Sequence, residues 1–296
     1  MSNNLLHDYI AGAIGGTAGI IVGHPFDTVK VQLQTHKHVG NWGCIKTVWR
    51  AGVKSGFMRG LSFPLVGNGF LINTIYFGVY GNTLRKFTEL RGHKSASYSD
   101  IFLAGSVAGA SQLVVGCPSD VIKVTLQAQI KGSPSVVGKM DYFKGPRECI
   151  ANLYREHGLR GFFRGFHIQA MRDVPTYGVY IFVYEWLNHL VDEHHFSDSS
   201  GIMGGLVGGG ISGVVSWLFC LPFDTIKSRV QSDIHNIRYK GFIDCVQKSY
   251  KEDGLKVFMR GGISVALRAI PTNAITFLFY KKTMDYFEAR TLHWST

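Results

Sequence analysis

The chain has 296 residues, 46% of them hydrophobic and 13% aromatic, while Asp, Glu, Lys and Arg together make up only 17%. That charged share lies below the roughly 25% usual in soluble domains, and so much apolar surface excludes a disordered chain. The formal net charge is +11, but the basic residues stand mostly between apolar runs, where anionic lipid head groups suit them better than nucleic acid.

In chain order, Met1 to Asp8 is short and polar and lacks a basic n-region, so no cleaved presequence is expected. Tyr9 to Phe26 follows as an apolar run containing His24. It ends in Pro25-Phe26-Asp27-Thr28-Val29-Lys30, with Gln34 nine residues after the Pro. A short amphipathic helix is predicted beyond Gly40, around Cys44, and Arg59-Gly60 leads into the uncharged run Leu61 to Leu84. Tyr80 closes this second span.

The same order then returns twice. Ile101 to Ser119 is uncharged and leads into Pro118-Ser119-Asp120-Val121-Ile122-Lys123 with Gln127; Gly145, Cys149, Arg164-Gly165 and Tyr184 follow. Ser199 to Phe223 is uncharged and leads into Pro222-Phe223-Asp224-Thr225-Ile226-Lys227 with Gln231; Gly241, Cys245, Arg260-Gly261 and Tyr280 follow. The copies stand 93 and 104 residues apart. Each uncharged run approaches or exceeds the ~18–20 residues that carry a helix across hydrocarbon. The chain therefore reads as three repeats, 1–96, 97–196 and 197–296, each a long span, a short amphipathic helix and a second long span. Three repeats give six transmembrane helices.

Small residues recur four apart within the first spans, at Gly12/Gly16, Gly19/Gly23, Gly105/Gly109, Gly205/Gly209 and Gly209/Gly213, a spacing that lets helices approach closely. The repeated cysteines read as packing residues. The five cysteines contain no CxxC and the twelve His no HExxH, so no metal, disulfide scaffold or cofactor is expected. An enzyme reading lacks a nucleophile–base constellation.

Counting back twelve residues from Tyr184 and Tyr280 reaches Arg172 and Arg268; from Tyr80 it reaches Asn68. Asp173 is the only acid among these positions. Ionisable groups inside a span mark a functional site by default. Two guanidinium groups and one carboxylate suit a zwitterion, with Arg for its carboxylate and Asp for its ammonium. An internal Arg172–Asp173 pair that only orders the cavity is the competing reading. Asn73 is a further polar lining residue, and Tyr177 and Trp217, with Tyr76 and Phe77, are aromatic partners for a quaternary ammonium or packing residues.

Pro-x-Asp-x-x-Lys in three registered copies, each with a trailing Gln, resembles the mitochondrial carrier family over essentially the whole chain. Arg172-Asp173-Val174-Pro175 with Tyr184-Glu185-Trp186-Leu187, Leu267-Arg268-Ala269 with Pro271 and Asn273-Ala274, and Trp217 are similar to helices of its carnitine/acylcarnitine and basic amino-acid branch. Gly23-His24-Pro25 and the run from Lys251 to Phe258 look closer to relatives proposed to carry choline and methylated amino acids.

The resemblance implies an all-α membrane protein: six transmembrane helices in three homologous repeats with pseudo-threefold symmetry, and three short matrix helices. It implies a functional monomer, multi-pass in the mitochondrial inner membrane, moving a small zwitterionic or cationic amine or amino acid by alternating access. A carnitine-like or amino-acid zwitterion is the first substrate class; a choline or methylated-amine carrier, or a basic amino-acid carrier, is the alternative. Three Pro-kinked helices would converge at a matrix gate, where Asp27, Asp120 and Asp224 pair with Lys30, Lys123 and Lys227 in a ring. Gln34, Gln127 and Gln231 would bridge those pairs. On the cytosolic side Tyr80, Tyr184, Glu185, Tyr280 and Lys281 never bring acid and base together in one copy. A weak cytosolic network and a dominant cytosol-open state are therefore expected. Cardiolipin is expected at Gly145, Gly241, Arg164 and Gly165, where helix N-termini offer free N–H groups; repeat one departs from that pattern at His38-Val39-Gly40 and Met58-Arg59-Gly60.

Overall fold

The computed structural model describes residues 2–36, 40–65, 72–91, 97–130, 142–193, 202–234 and 238–293. Every regular element among them is helical: α1 (Ser2–Thr35), α2 (Gly40–Arg50), α3 (Asn73–Leu90), α4 (Tyr98–Ser111), α5 (Leu113–Ala128), α6 (Pro146–Phe162), α7 (Phe166–Glu193), α8 (Ile202–Ser232), α9 (Phe242–Asp253) and α10 (Gly262–His293). The second repeat's first span is broken at Gln112, where α4 and α5 bend by 56°. By length and composition the described residues hold one stretch able to cross a membrane, Gly254–Phe287, and a second if the bent α4–α5 pair counts as one span. Six were expected. Part of the shortfall is chemical: α1 holds five glycines and carries His24, Asp27 and Lys30. Glycine gives close approach without much hydrophobicity.

The residues fall into two compact units. The first comprises Met1–Leu71, Ser119–Gly158 and Gly261–Thr296; the second comprises Ile72–Pro118 and Leu159–Arg260.

In the first unit α10 lies along α1. Its seam is Gly15, Gly19 and Gly23: a Cβ at Gly15 would meet the Thr276 carbonyl oxygen at 2.6 Å, and one at Gly19 would overlap Thr276 Oγ1. The Gly12 and Gly16 positions face open space instead, as does Gly213 on α8. Of the two expected pairs on α1, Gly19/Gly23 lies on the seam and Gly12/Gly16 does not, because a helix with five glycines offers several such stripes and only a partner helix chooses between them. α2 buries Cys44 and Val48 against Val29, Leu33 and Ile130.

In the second unit α4 and α7 meet at Gly105 and Gly109, over Tyr177 and Gly178. α8 and α9 share a core of Ile226, Val230, Tyr239 and Cys245, which Ile168 of α7 joins. Burial pushes the Cys44 and Cys149 thiols up to about 12 and the Cys245 thiol up to about 11. They are inert packing groups at neutral pH.

Each short helix ends at a glycine in the left-handed region: Gly52 (φ 88°), Gly158 (φ 60°) and Gly254 (φ 64°). Only glycine adopts this conformation freely, so it stops the helix and turns the chain toward the next long helix. Gly158 breaks α6 from within. In repeat one the chain then continues through a single π-helical turn, Val53–Phe57. Counting explains the turn: Gly52 and Gly60 are eight residues apart, whereas Gly158/Gly165 and Gly254/Gly261 are seven apart. A π turn absorbs one extra residue.

Candidate functional site: two ionic centres

The first unit gathers its charges around Asp27. α1 contains Pro25 and carries Asp27 just beyond it. Asp27 Oδ2 accepts from Lys123 Nζ of α5 at 2.8 Å, and its Oδ1 accepts from Arg268 Nη1 of α10. Lys30, itself buried, adds to the positive field on the carboxylate. Arg268 reaches Asp27 by lying across Gly23, where a Cβ would stand 3.5 Å from its Cγ and Cδ. Asp27 of repeat one and Lys123 of repeat two, both expected in the Asp–Lys ring, thus form an ion pair. Arg268, predicted at substrate depth, is tied to the same carboxylate.

Gln127 and Gln32 tie α1 to α5. Gln127 Nε2 donates to Thr28 Oγ1 at 3.0 Å, not to Asp27 or Lys123. It leaves α5 one turn beyond Lys123 and so meets α1 one residue beyond Asp27. Gln32 Nε2 donates to the carbonyls of Gln127 (2.6 Å) and Ala128 (2.9 Å), closing the C-terminal end of α5. His24 is buried, and its Nε2 donates to the Arg59 carbonyl at 2.9 Å. Gln34 is fully buried.

Arg59 was read only as a marker of the repeat. Its Nε donates to the Leu126 carbonyl at 2.7 Å and its Nη2 to the Phe143 carbonyl at 2.6 Å; Nη1 reaches Tyr142 Oη, whose ring face lies 4.3 Å from the guanidinium carbon. A cation bound to the last carbonyls of a helix is favourable for the same reason as any C-terminal cap.

The second unit is organised around Arg172. Its Nε donates to Asp173 Oδ1 at 2.5 Å and its Nη1 to Asp224 Oδ1 at 2.7 Å. Both carboxylates are buried. Pro175 lies three residues beyond Arg172, as Pro271 does beyond Arg268, and Thr176 Oγ1 donates back to the Arg172 carbonyl at 2.5 Å. One fork thus joins Arg172 and Asp173, expected in the pocket, to Asp224, expected in the gate. Gln231 Nε2 donates to Gln169 Oε1 (3.2 Å) and to the Arg164 carbonyl (3.3 Å), and Lys227 is buried.

Arg164 repeats the part played by Arg59. Its Nε donates to the Val230 carbonyl at 2.9 Å and its Nη1 to the Ile234 carbonyl at 2.5 Å. Burial pulls its pKa below the usual guanidinium value, against the opposing pull of Asp233. The guanidinium expected at a lipid phosphate is thus engaged with the end of α8. Gly165 takes φ 69° in the turn behind it. At the two other expected lipid positions a carboxylate is already in place. Glu148 accepts from the Lys144 N–H at 2.6 Å beside Gly145, and Asp244 accepts from the Lys240 N–H at 2.9 Å beside Gly241. Lys248 and that N–H hold the Asp244 carboxyl below its usual range.

Beyond Asp224, α8 carries a network the sequence reading missed. Buried Arg229 donates to Ser249 Oγ (2.8 Å) and Glu252 Oε2 (3.2 Å), while Arg238 bonds the other oxygen of Glu252. Asp233 accepts from the N–H groups of Arg238 (3.0 Å) and Tyr239 (2.9 Å).

Tyr177 packs its ring 4.8 Å from that of Tyr76 and sits over Gly109, so its place is in the α4–α7 seam. Tyr76 and Tyr80 stack at 6.3 Å, Tyr180 and Tyr184 at 6.4 Å, and Glu185 is near enough to Tyr80 to act on it electrostatically. Tyr280 packs over Gly15, and Lys281 is exposed. Asn68 lies outside the described residues; Asn73 opens α3 and Trp217 lies within α8. Asp120 lies on α5, half-buried.

The chain matches the mitochondrial carrier protein family over residues 2–90, 94–195 and 198–291. It is 39% identical to mouse solute carrier family 25 member 45 over 282 residues, 93% of this chain and 97% of that one. It is 41% identical to the bovine mitochondrial basic amino acids transporter over 286 residues, covering 94% and 91%. Human solute carrier family 25 member 48 is 38% identical over 302 residues, 96% of each chain. With three repeats matched and relatives aligned end to end, the chain belongs to the mitochondrial carrier family, a family of solute transporters.

Proposed function

We propose that this carrier moves a small zwitterionic amine or amino acid across the mitochondrial inner membrane by alternating access, as a six-span monomer. The observation that supports it is shared by both ionic centres. Each arginine at substrate depth is bound to an aspartate of the repeated Pro-x-Asp-x-x-Lys motif: Arg268 to Asp27, and Arg172 to Asp224. A substrate carboxylate that draws a guanidinium to itself weakens that arginine's hold on the gate aspartate. A substrate ammonium competes for Asp173 in the same way. Occupancy is thereby coupled to opening of the matrix side. The Asp27–Lys123 pair, and the sequence pattern in which no copy carries both acid and base after Tyr80, Tyr184 or Tyr280, support a cytosol-open resting state.

The test is uptake by the purified carrier in proteoliposomes, with substrates first ranked by thermal shift against carnitine, choline, methyl-lysines, lysine and arginine. Arg172→Ala and Arg268→Ala should each abolish uptake of the substrate that stabilises the wild type. Unchanged flux in both variants rejects the assignment. A second reading, a quaternary amine without a carboxylate, draws on the tyrosines of α3 and α7 around Tyr76 and Tyr80. Stabilisation by choline but not by carnitine or lysine would select it.

A further inference from the structure

The residue before the motif proline differs in the three repeats: His24, Cys117 and Leu221. The first two share a task. His24 Nε2 donates to the Arg59 carbonyl at 2.9 Å, and Cys117 Sγ to the Arg164 carbonyl at 3.9 Å. Leucine can donate nothing, so the fold does not depend on that bond in every repeat. Only the histidine has a second nitrogen. Because Nε2 gives its hydrogen to a carbonyl, the neutral ring carries its lone pair on Nδ1. Nδ1 is buried and has no hydrogen-bond partner among the described residues. The same holds for Oε1 of Gln127, whose Nε2 lies 3.4 Å from His24 Nε2. Two buried acceptors in one corner without a donor leave it short of a hydrogen.

The charged groups around the ring come from α1, α5 and α10. Asp27 stands three residues on along α1, with Lys30 beyond it; α5 contributes Lys123 and α10 contributes Arg268. Lys123 and Arg268 occupy the two oxygens of Asp27, which leaves no carboxylate oxygen for a further cation. We propose that His24 is a proton acceptor linked to opening: as Lys123 and Arg268 leave Asp27, the ring takes a proton on Nδ1 from the side that opens and supplies positive charge to the carboxylate they abandon. Closing reverses the step, and the returning cations expel the proton to the same side. Acid on that side thereby favours opening, although no proton is carried across. The inference rests on the proposed withdrawal of Arg268 from Asp27, but its first test needs no substrate.

Thermal unfolding of the purified full-length carrier is followed from about pH 8 to about pH 6, the range in which histidine titrates. Lys123→Met takes one cation from Asp27. On acidification this variant should gain about 2–4 °C of melting temperature, the shift that one such interaction gives in a large domain. The gain arises because the folded protein now binds a proton that the unfolded chain binds less well. Wild type should show no such rise. Lys123→Met/His24→Gln should not show it either, since glutamine keeps an N–H for the Arg59 carbonyl but takes no proton. Should Lys123→Met not fold, Arg268→Ala frees the other oxygen of Asp27 and carries the same comparison. No rise in the single variant would overturn the proposal. A rise that survives His24→Gln would overturn it in favour of a proton on Asp27 itself. In proteoliposomes, carnitine, choline and lysine are supplied in turn. The uptake rate of any that is carried should increase severalfold over the same acidification for wild type and stay level for His24→Gln; parallel profiles would overturn the link to opening. If none of the three enters, the transport reading fails while the unfolding comparison still decides the role of His24.

Discussion

Asp27 and Arg172 stand at the centres of two clusters built from the same ions in opposite proportion. Asp27 is a carboxylate among cations, with Lys123 and Arg268 on its two oxygens and Lys30 adding to the field. Arg172 is a guanidinium shared by two carboxylates, Asp173 and Asp224. The side chain of Arg268 is 29% exposed and that of Arg172 16%. The difference teaches what each cluster loses when its arginine leaves. If Arg268 turns away, Asp27 still holds Lys123. If Arg172 turns away, two buried carboxylates lose the cation they share. On the proposed function, Arg268 should therefore be drawn from its aspartate at the smaller cost, and Arg172 at the larger.

The largest expected effect tests that contrast in stability. Breaking a buried ion pair by removing one partner costs about 3–5 kcal/mol, whereas a partly exposed ion that leaves its partner paired costs about 1 kcal/mol or less. Arg172→Ala should fall in the first class and Arg268→Ala in the second, although both lose transport. Thermal unfolding of the purified variants reads the difference. Arg172→Ala/Asp173→Ala should recover a good part of the loss, because one uncompensated carboxylate goes with the cation. Equal destabilisation by the two single variants would erase the distinction.

Lysine substitutions sharpen it. Arg172 donates from two different nitrogens, Nε at 2.5 Å and Nη1 at 2.7 Å, to carboxylates on two helices. An ammonium is a compact point charge and cannot reproduce that fork. Arg172→Lys should lower uptake about tenfold or more, the equivalent of one charged hydrogen bond at roughly 1.5–3 kcal/mol. Arg268→Lys keeps a cation for a single carboxylate oxygen and should keep most of the uptake. Initial rates in proteoliposomes decide; comparable losses would mean that both arginines act as forks.

Much of this was legible before any coordinates, and the rest has a common cause. Pro-x-Asp-x-x-Lys could be found because its residues are neighbours on one helix and recur in register. Arg172, Asp173 and Arg268 could be found because charge inside an apolar run is conspicuous. Hidden from view were contacts between segments distant in sequence. Nothing local says that Arg172 meets Asp224 or that Arg268 meets Asp27. Arg59 and Arg164 were visible as a repeated Arg-Gly, but a basic residue reads equally well as a lipid ligand or a clamp on carbonyls, and only the position of the α5 and α8 C-termini decides. The helix-ending glycines Gly52, Gly158 and Gly254 had a usable signal, since each follows its repeated cysteine by eight or nine residues. That one-residue slip hid the register.

A smaller effect bears on how Arg268 is delivered to the first centre. α10 brings it across α1 on the seam of Gly15, Gly19 and Gly23, with Thr272 and Thr276 opposite. Gly19→Ala would force a methyl against Thr276 and should destabilise by about 1–3 kcal/mol, the usual cost of overpacking. Gly12→Ala, facing open space on the same helix, should instead be neutral or gain about 0.5–1 kcal/mol from helix propensity. The pair of melting temperatures checks the register of the seam; the reverse order would place α10 on the other glycine stripe.

The smallest effect concerns the far end of the helix that carries Asp224. There Glu252 is shared by Arg229 and Arg238, and partial burial, which raises its pKa, is outweighed by the Arg238 hydrogen bond and by both positive charges. Its folded pKa therefore lies below the ordinary glutamate value of 4.5. A carboxyl with a depressed folded pKa stabilises the fold above its unfolded value and loses that contribution as pH falls through the folded one. Acidification below the ordinary glutamate range should thus weaken the hold of α9 on α8. Solvent reaches the pair, so the contribution should be under about 1 kcal/mol. Glu252→Gln should show less of this loss, its unfolding midpoint changing less between neutral and acidic pH than that of the wild type. Asp27 has no such relay on α1, where Gln32 occupies the position equivalent to Arg229 and holds the carbonyls of α5 instead. Acid should consequently loosen the helix of the second centre through a contact that the first centre lacks. Hydrogen exchange resolved to α1 and α8 would reveal it as protection lost in α8 alone.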